Sequence, residues 1–89
     1  MKWTTYQQNG YPLSEVKEDS TEYEILKQNA ESGIPSAQHD MGVWHETVAH
    51  NYEEALKWYK KAGNSGYSNS QESYNNLARW LGKPEIDWE

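Results

Sequence analysis

Histidines and serines are the first residues to test for chemistry, because a chain without cysteine has few other side chains that bind a transition metal or attack a carbonyl. His45-Glu46-Thr47-Val48-Ala49-His50 is one residue longer than the His-Glu-x-x-His spacing that sets two imidazoles on one helix face. Residues five apart on a helix diverge by about 140°, so the two rings do not converge on one ion and no metal site is expected. His45 is expected to pack, half-buried, and His50 to lie in a loop. His39 and Asp40 are neighbours on a helix and point apart. Ser65, Ser68, Ser70 and Ser73 fall in a turn and a helix start, where hydroxyls cap backbone amides. Glu22, Glu24, Glu53 and Glu54 read as solvated helix faces, with no apolar pocket to drive two carboxyl pKa values apart for acid and base roles. Gly33, Gly63 and Gly66 stand at helix ends rather than in a strand-to-helix loop, so no phosphate cradle is expected. The positive charge of Lys57, Lys60 and Lys61, late in a helix, complements the helix dipole. The chain is therefore expected to be non-catalytic, with no cofactor and no metal.

The elements that position these residues must come from a small and unusual core. At 89 residues the chain has room for one domain, because the buried fraction falls as chains shorten. Ile, Leu and Val together number eleven, Phe is absent and the net charge is -6, a balance that leans towards disorder. Five Trp and seven Tyr reverse it, since each large aromatic side chain can bury about 150–250 Å². Without disulfides, helix packing has to hold the chain together. The opening residues Met1 to Gln8 lack the apolar run of a signal peptide, and no stretch approaches membrane-spanning length. A soluble, cytoplasmic protein is the expectation. Eight basic against fourteen acidic residues disfavour nucleic acid and anionic membranes and favour a basic protein partner.

Along the chain, residues 1–19 read as an irregular N-terminal arm or cap that Trp3, Tyr6 and Tyr11 would pin to the body. Ser20 begins a helix as its N-cap, with Tyr23, Leu26 and Ala30 at helical spacing, and Gly33-Ile34-Pro35 ends it. A second helix is expected from near Ser36 to about Thr47, carrying Ala37, Met41 and Trp44. The third has the clearest stripe, Tyr52, Ala55, Leu56, Tyr59 and Ala62, with Asn51 as its N-cap. A fourth runs from about Asn69 through Tyr74, Leu77, Ala78 and Leu81 to Gly82. Residues 20–82 thus form the helical region, and 83–89 an acidic tail that carries Ile86 and Trp88.

The segment Ala30 to Gln38 recurs in reduced form as Gly63 to Gln71, an offset of 33 residues that also aligns Leu26 with Tyr59 and Trp44 with Leu77. Helix, glycine turn, helix at that period is the mark of an α-solenoid. Ala37-Gln38-His39-Asp40-Met41-Gly42-Val43-Trp44-His45, followed by Tyr52-Glu53-Glu54-Ala55-Leu56-Lys57-Trp58-Tyr59-Lys60-Lys61-Ala62, resembles the unit of the Sel1-like repeat family, of tetratricopeptide type. The resemblance covers one whole unit with half units on either side, about residues 21–81. His45 stands in place of a packing Tyr, Asn75 in place of the small Gly, and the inter-helix loop from Glu46 to Asn51 is short. The resemblance implies an all-α fold: a short right-handed α/α superhelix of about four helices plus the N-terminal arm.

It also implies an interaction module. In such solenoids the first helix of each pair lines the concave side, and the positions off the apolar stripe there are His39, Asp40, Val43, Glu46, Glu72, Asn76 and Arg79. These are the candidate partner-binding residues. The expected partner is another protein or peptide of basic character, and small size with net acidity fits an inhibitor or immunity-type protein that covers a basic toxin or nuclease. Two alternatives stand beside it. One is a hydrolase, an activity associated with cysteine-rich proteins of the family; the other is a capping piece or scaffold of a longer array. Self-association through an exposed solenoid end is expected where so few repeats bury so little of their stacking surface.

Overall fold

The computed structural model describes residues 16–88. They form four helices, α1 (Thr21–Glu31), α2 (Pro35–Thr47), α3 (Tyr52–Asn64) and α4 (Ser68–Leu81), with no strand among the described residues. None of these helices is long and apolar enough to cross a membrane. Trp3, Tyr6 and Tyr11 lie outside the described residues.

Local chemistry sets most of the boundaries. Ser20 Oγ accepts from the Tyr23 N–H at 3.1 Å and Asn51 Oδ1 from the Glu54 N–H at 3.4 Å, so α1 and α3 each start on a side-chain cap. α2 starts one residue earlier than the spacing suggested, on Pro35, whose missing N–H costs nothing at the first helical position. α4 also begins one residue early, at Ser68, and ends on left-handed Gly82 (φ 75°). Glu46 lies inside α2 rather than in the loop, which shortens to Val48–Asn51; His50 turns it with φ 54°.

The chain packs as a sequence of neighbours, α1 on α2, α2 on α3 and α3 on α4. Between α1, α2 and α3 lie Leu26, Met41, Trp44 and Trp58, closed off by Val16. Trp44 donates its indole N–H to the Val16 carbonyl at 2.8 Å, which anchors Val16 to α2, and meets the Tyr23 ring at 4.8 Å. Between α3 and α4 the core is Ala55, Leu56, Tyr59, Leu77 and Ala78.

The two segments that resemble each other in sequence fold alike. Gln38 Nε2 donates to the Ala30 carbonyl at 3.1 Å, and Gln71 Nε2, 33 positions later, donates to the Gly63 carbonyl at 3.0 Å. Gly33 and Gly66 both take the left-handed turn, with φ of 99° and 90°, a conformation that a side chain disfavours. The aligned core positions Leu26 and Tyr59, Trp44 and Leu77, and Ala37 and Ser70 are all buried. The copies diverge at Gly42 and Asn75. Tyr59 lies directly on Gly42, where a Cβ would come within 2.5 Å of the ring; Asn75 instead bonds the backbone of Ile86.

Candidate interaction surface

The candidate residues of α2 face three ways. His39 sits between the Tyr59 and Tyr67 rings, 5.4 Å from each, with Nδ1 2.7 Å from Ser70 Oγ. Asp40 is buried, and Val43 packs against the core between α3 and α4. Glu46 accepts a 2.7 Å hydrogen bond from the Tyr59 hydroxyl. From α4, Glu72, Asn76 and Arg79 are exposed. Arg79 is held by Glu85 in a two-point pair, Nε to Oε2 at 2.9 Å and Nη2 to Oε1 at 3.0 Å.

A serine hydroxyl 2.7 Å from an imidazole is the spacing of a nucleophile and its base. Ser70 is fully buried, however, and no acyl group could approach it. Its hydroxyl serves the imidazole inside the helix interface. The serines that looked like caps behave otherwise as well: α4 has no side-chain cap, and Ser65 Oγ donates back to the Lys61 carbonyl at 3.4 Å. His45 and His50 lie apart, His45 half-buried on α2 and His50 exposed in the loop beside Tyr52. No group of three or more potential metal ligands occurs among the described residues.

Two of the candidates do meet. Glu46 of α2 and Asn76 of α4 line a surface groove of about 210 Å³ together with Ser73, Leu77 and Trp80. Trp80 was not among the residues singled out from sequence. It is 70% exposed and stands edge-on to Tyr52 at 5.5 Å. The signal was present in the helical register: Trp80 follows Asn76 by one turn and Ser73 by two, off the apolar line of Leu77, Ala78 and Leu81. A large aromatic off the stripe is exposed by register.

Burial also controls the titration of this region. The Tyr59 hydroxyl is pushed far above the ordinary tyrosine range by burial and then by its bond to the Glu46 carboxylate. Burial pulls the His39 imidazole below 6.5, against the nearby charge of Glu46. His45 is lowered in the same way, against Glu54 and Glu18, and its buried Nδ1 has no hydrogen-bond partner. For both rings the unfolded chain binds protons at a higher pH than the folded chain. The stability they contribute is therefore complete above pH 6.5 and is lost as the pH falls through the lower folded values. Urea midpoints should fall with acidification below pH 6.5, and His39→Gln with His45→Gln should flatten that fall. An unchanged slope in the double variant would remove the histidines as its cause.

Compared with models of protein families, with curated proteins and with solved structures, the chain matches none. Its class is thus defined by its own features: among the described residues, a compact all-α body of four helices, with two helix–turn–helix segments that share the same turn and an aromatic-edged groove between α2 and α4.

Proposed function

We propose that this chain is a non-catalytic protein–protein interaction module, built as a short right-handed superhelix of Sel1-like helix pairs, that receives a basic segment of another protein in the groove between α2 and α4. The observation that carries the reading is Trp80, a mostly exposed tryptophan at the edge of a groove that also holds the Glu46 carboxylate. Trp is among the residues most enriched at the energetic centres of interfaces. A guanidinium or ammonium group can lie over its face while pairing with a carboxylate. The net charge of -6 adds long-range attraction for such a partner.

The repeated glutamine-to-carbonyl bond and the paired left-handed glycines support the superhelix, since each sets the same turn between consecutive helices. The closed environment of Ser70 supports a binding role over a hydrolytic one. An inhibitor or immunity-type protein acting in the cytoplasm on a basic toxin or nuclease is the form this function takes in the proposal. Capture from the native lysate at low and high salt tests it. A basic partner in stoichiometric amount, released as salt screens the charges, is the expected result. Absence of any such partner, or retention of an acidic one indifferent to salt, would contradict the reading.

A further inference from the structure

The residues that follow α4 do not continue the helical pattern. At the offset of 33, residues 85–88 align with the first turn of α3, yet they are not helical and lie against α3 and α4. Three contacts hold them, each of a kind used to recognise a peptide. Arg79 grips the Glu85 carboxylate at two points, 2.9 and 3.0 Å. The Asn75 side chain pairs with the backbone of Ile86, donating to its C=O at 2.9 Å and accepting from its N–H at 2.8 Å. Trp88 stands edge-on to Tyr74 at 5.8 Å and rests on Gly63, where a Cβ would come within 2.8 Å of the indole. An amide side chain that matches both backbone groups fixes one residue's backbone whatever its side chain, and the flanking sites then select a carboxylate and a tryptophan.

The fit is incomplete. Glu85 and Asp87 are exposed, Ile86 and Trp88 only half-buried, and the Trp88 indole N–H is buried without a partner. Beside the segment runs a groove of about 430 Å³ lined by Leu56, Tyr74 and Ile86, by Lys57, Lys60 and Lys83, and by Glu53 and Glu85. Lys57 and Lys83 pair with glutamates, but Lys60 has no ion pair among the described residues. On a chain of net charge -6, a lysine without an ion pair next to a bound acidic segment favours a further carboxylate there.

We infer that the outer face of α3 and α4 is a second recognition site, for a segment of another protein of the pattern acidic, aliphatic, any residue, tryptophan, with a further carboxylate over Lys60, and that residues 85–88 occupy it in cis. The two grooves share no lining residue, and Arg79 touches both sites, reaching Asn76 at 3.5 Å; the test turns on Asn75 and Trp88 and so does not depend on that reading. Tethering gives the cis segment an effective concentration on the order of millimolar, which a trans segment overcomes through the contacts the cis segment leaves unmade.

The test uses a fluorescein-labelled peptide with the sequence of residues 83–88, titrated by anisotropy into the full chain and its variants. The chain carrying Trp88→Ala should bind the peptide about tenfold or more tightly than the unaltered chain, and adding Asn75→Ala should abolish the gain. Glu85→Lys breaks the exposed pair with Arg79 and leaves the helical core untouched; it should show a smaller gain, and it decides the question if Trp88→Ala loses its helical circular dichroism. No gain in either folded variant, or a gain that survives Asn75→Ala, overturns the proposal. A dimer of the unaltered chain that disappears with Trp88→Ala would assign the site to a second copy and overturn its assignment to another protein.

Discussion

Replacing Tyr59 with alanine is expected to cost about 3–5 kcal/mol, against a total stability of about 4–13 kcal/mol for a chain of this length. The ring is 2% exposed; it fills the space over Gly42 and carries the hydroxyl that Glu46 accepts. Alanine would leave a cavity between α2 and α3 and remove the hydrogen bond as well. Chemical denaturation should show a midpoint reduced by roughly a fifth or more, and a loss below about 1 kcal/mol would mean that the interface collapses around the gap. The same contact predicts a coupled pair. Gly42→Ala alone should destabilise, although alanine is the better helix former, because the new Cβ meets a ring that cannot retreat. In a Tyr59→Leu background the same change should be nearly neutral or favourable. A double-mutant cycle showing additivity would contradict close contact at this point.

The parts of the fold legible in sequence were those decided locally. Ser20 and Asn51 cap their helices as their types suggest, and Gly33 and Gly66 adopt the left-handed turn that glycine permits. The amphipathic stripe of α3 places Ala55, Leu56, Tyr59 and Ala62 in the interior. The offset of 33 residues carries over into matching hydrogen bonds, because a buried glutamine at a fixed distance from a turn finds the same carbonyl each time.

What was not legible depends on neighbours distant in the chain. α2 lies between α1 and α3 and is enclosed on more than one side, so it buries Gln38 and Asp40 alongside Ala37 and Met41 and has no single polar face. This is why His39, Asp40 and Glu46, chosen for lying off the stripe, turn out to make contacts within the chain. The His39–Ser70 pair joins residues 31 apart, and no spacing rule within one helix reaches that far. The path of residues 84–88 is set by Asn75 and Gly63 on two different helices. Asn75 had been noted only as a departure from the repeat. Trp80 was visible as a tryptophan out of register with its stripe, yet its place beside Tyr52 and Glu46 follows only from how α4 docks on α3.

The proposed function places most of its binding energy on Trp80, and the second large effect is expected there. A centrally placed interface tryptophan is worth about 2–4 kcal/mol when truncated, so Trp80→Ala should weaken the complex by roughly 30-fold or more. Because the side chain is 70% exposed, the folded chain should lose no more than about 0.5 kcal/mol. Glu46→Gln should weaken binding less and reduce its salt dependence, since it removes one charge from the groove while leaving an oxygen for the Tyr59 hydroxyl. The direct measurement is calorimetric titration of the captured partner into the unaltered chain and into Trp80→Ala, with thermal unfolding of both. The interaction account predicts an affinity reduced at least 30-fold, at an unfolding midpoint within a few degrees of the original. Equal affinity for the two chains, or a loss of affinity that merely follows a loss of folding, would contradict it.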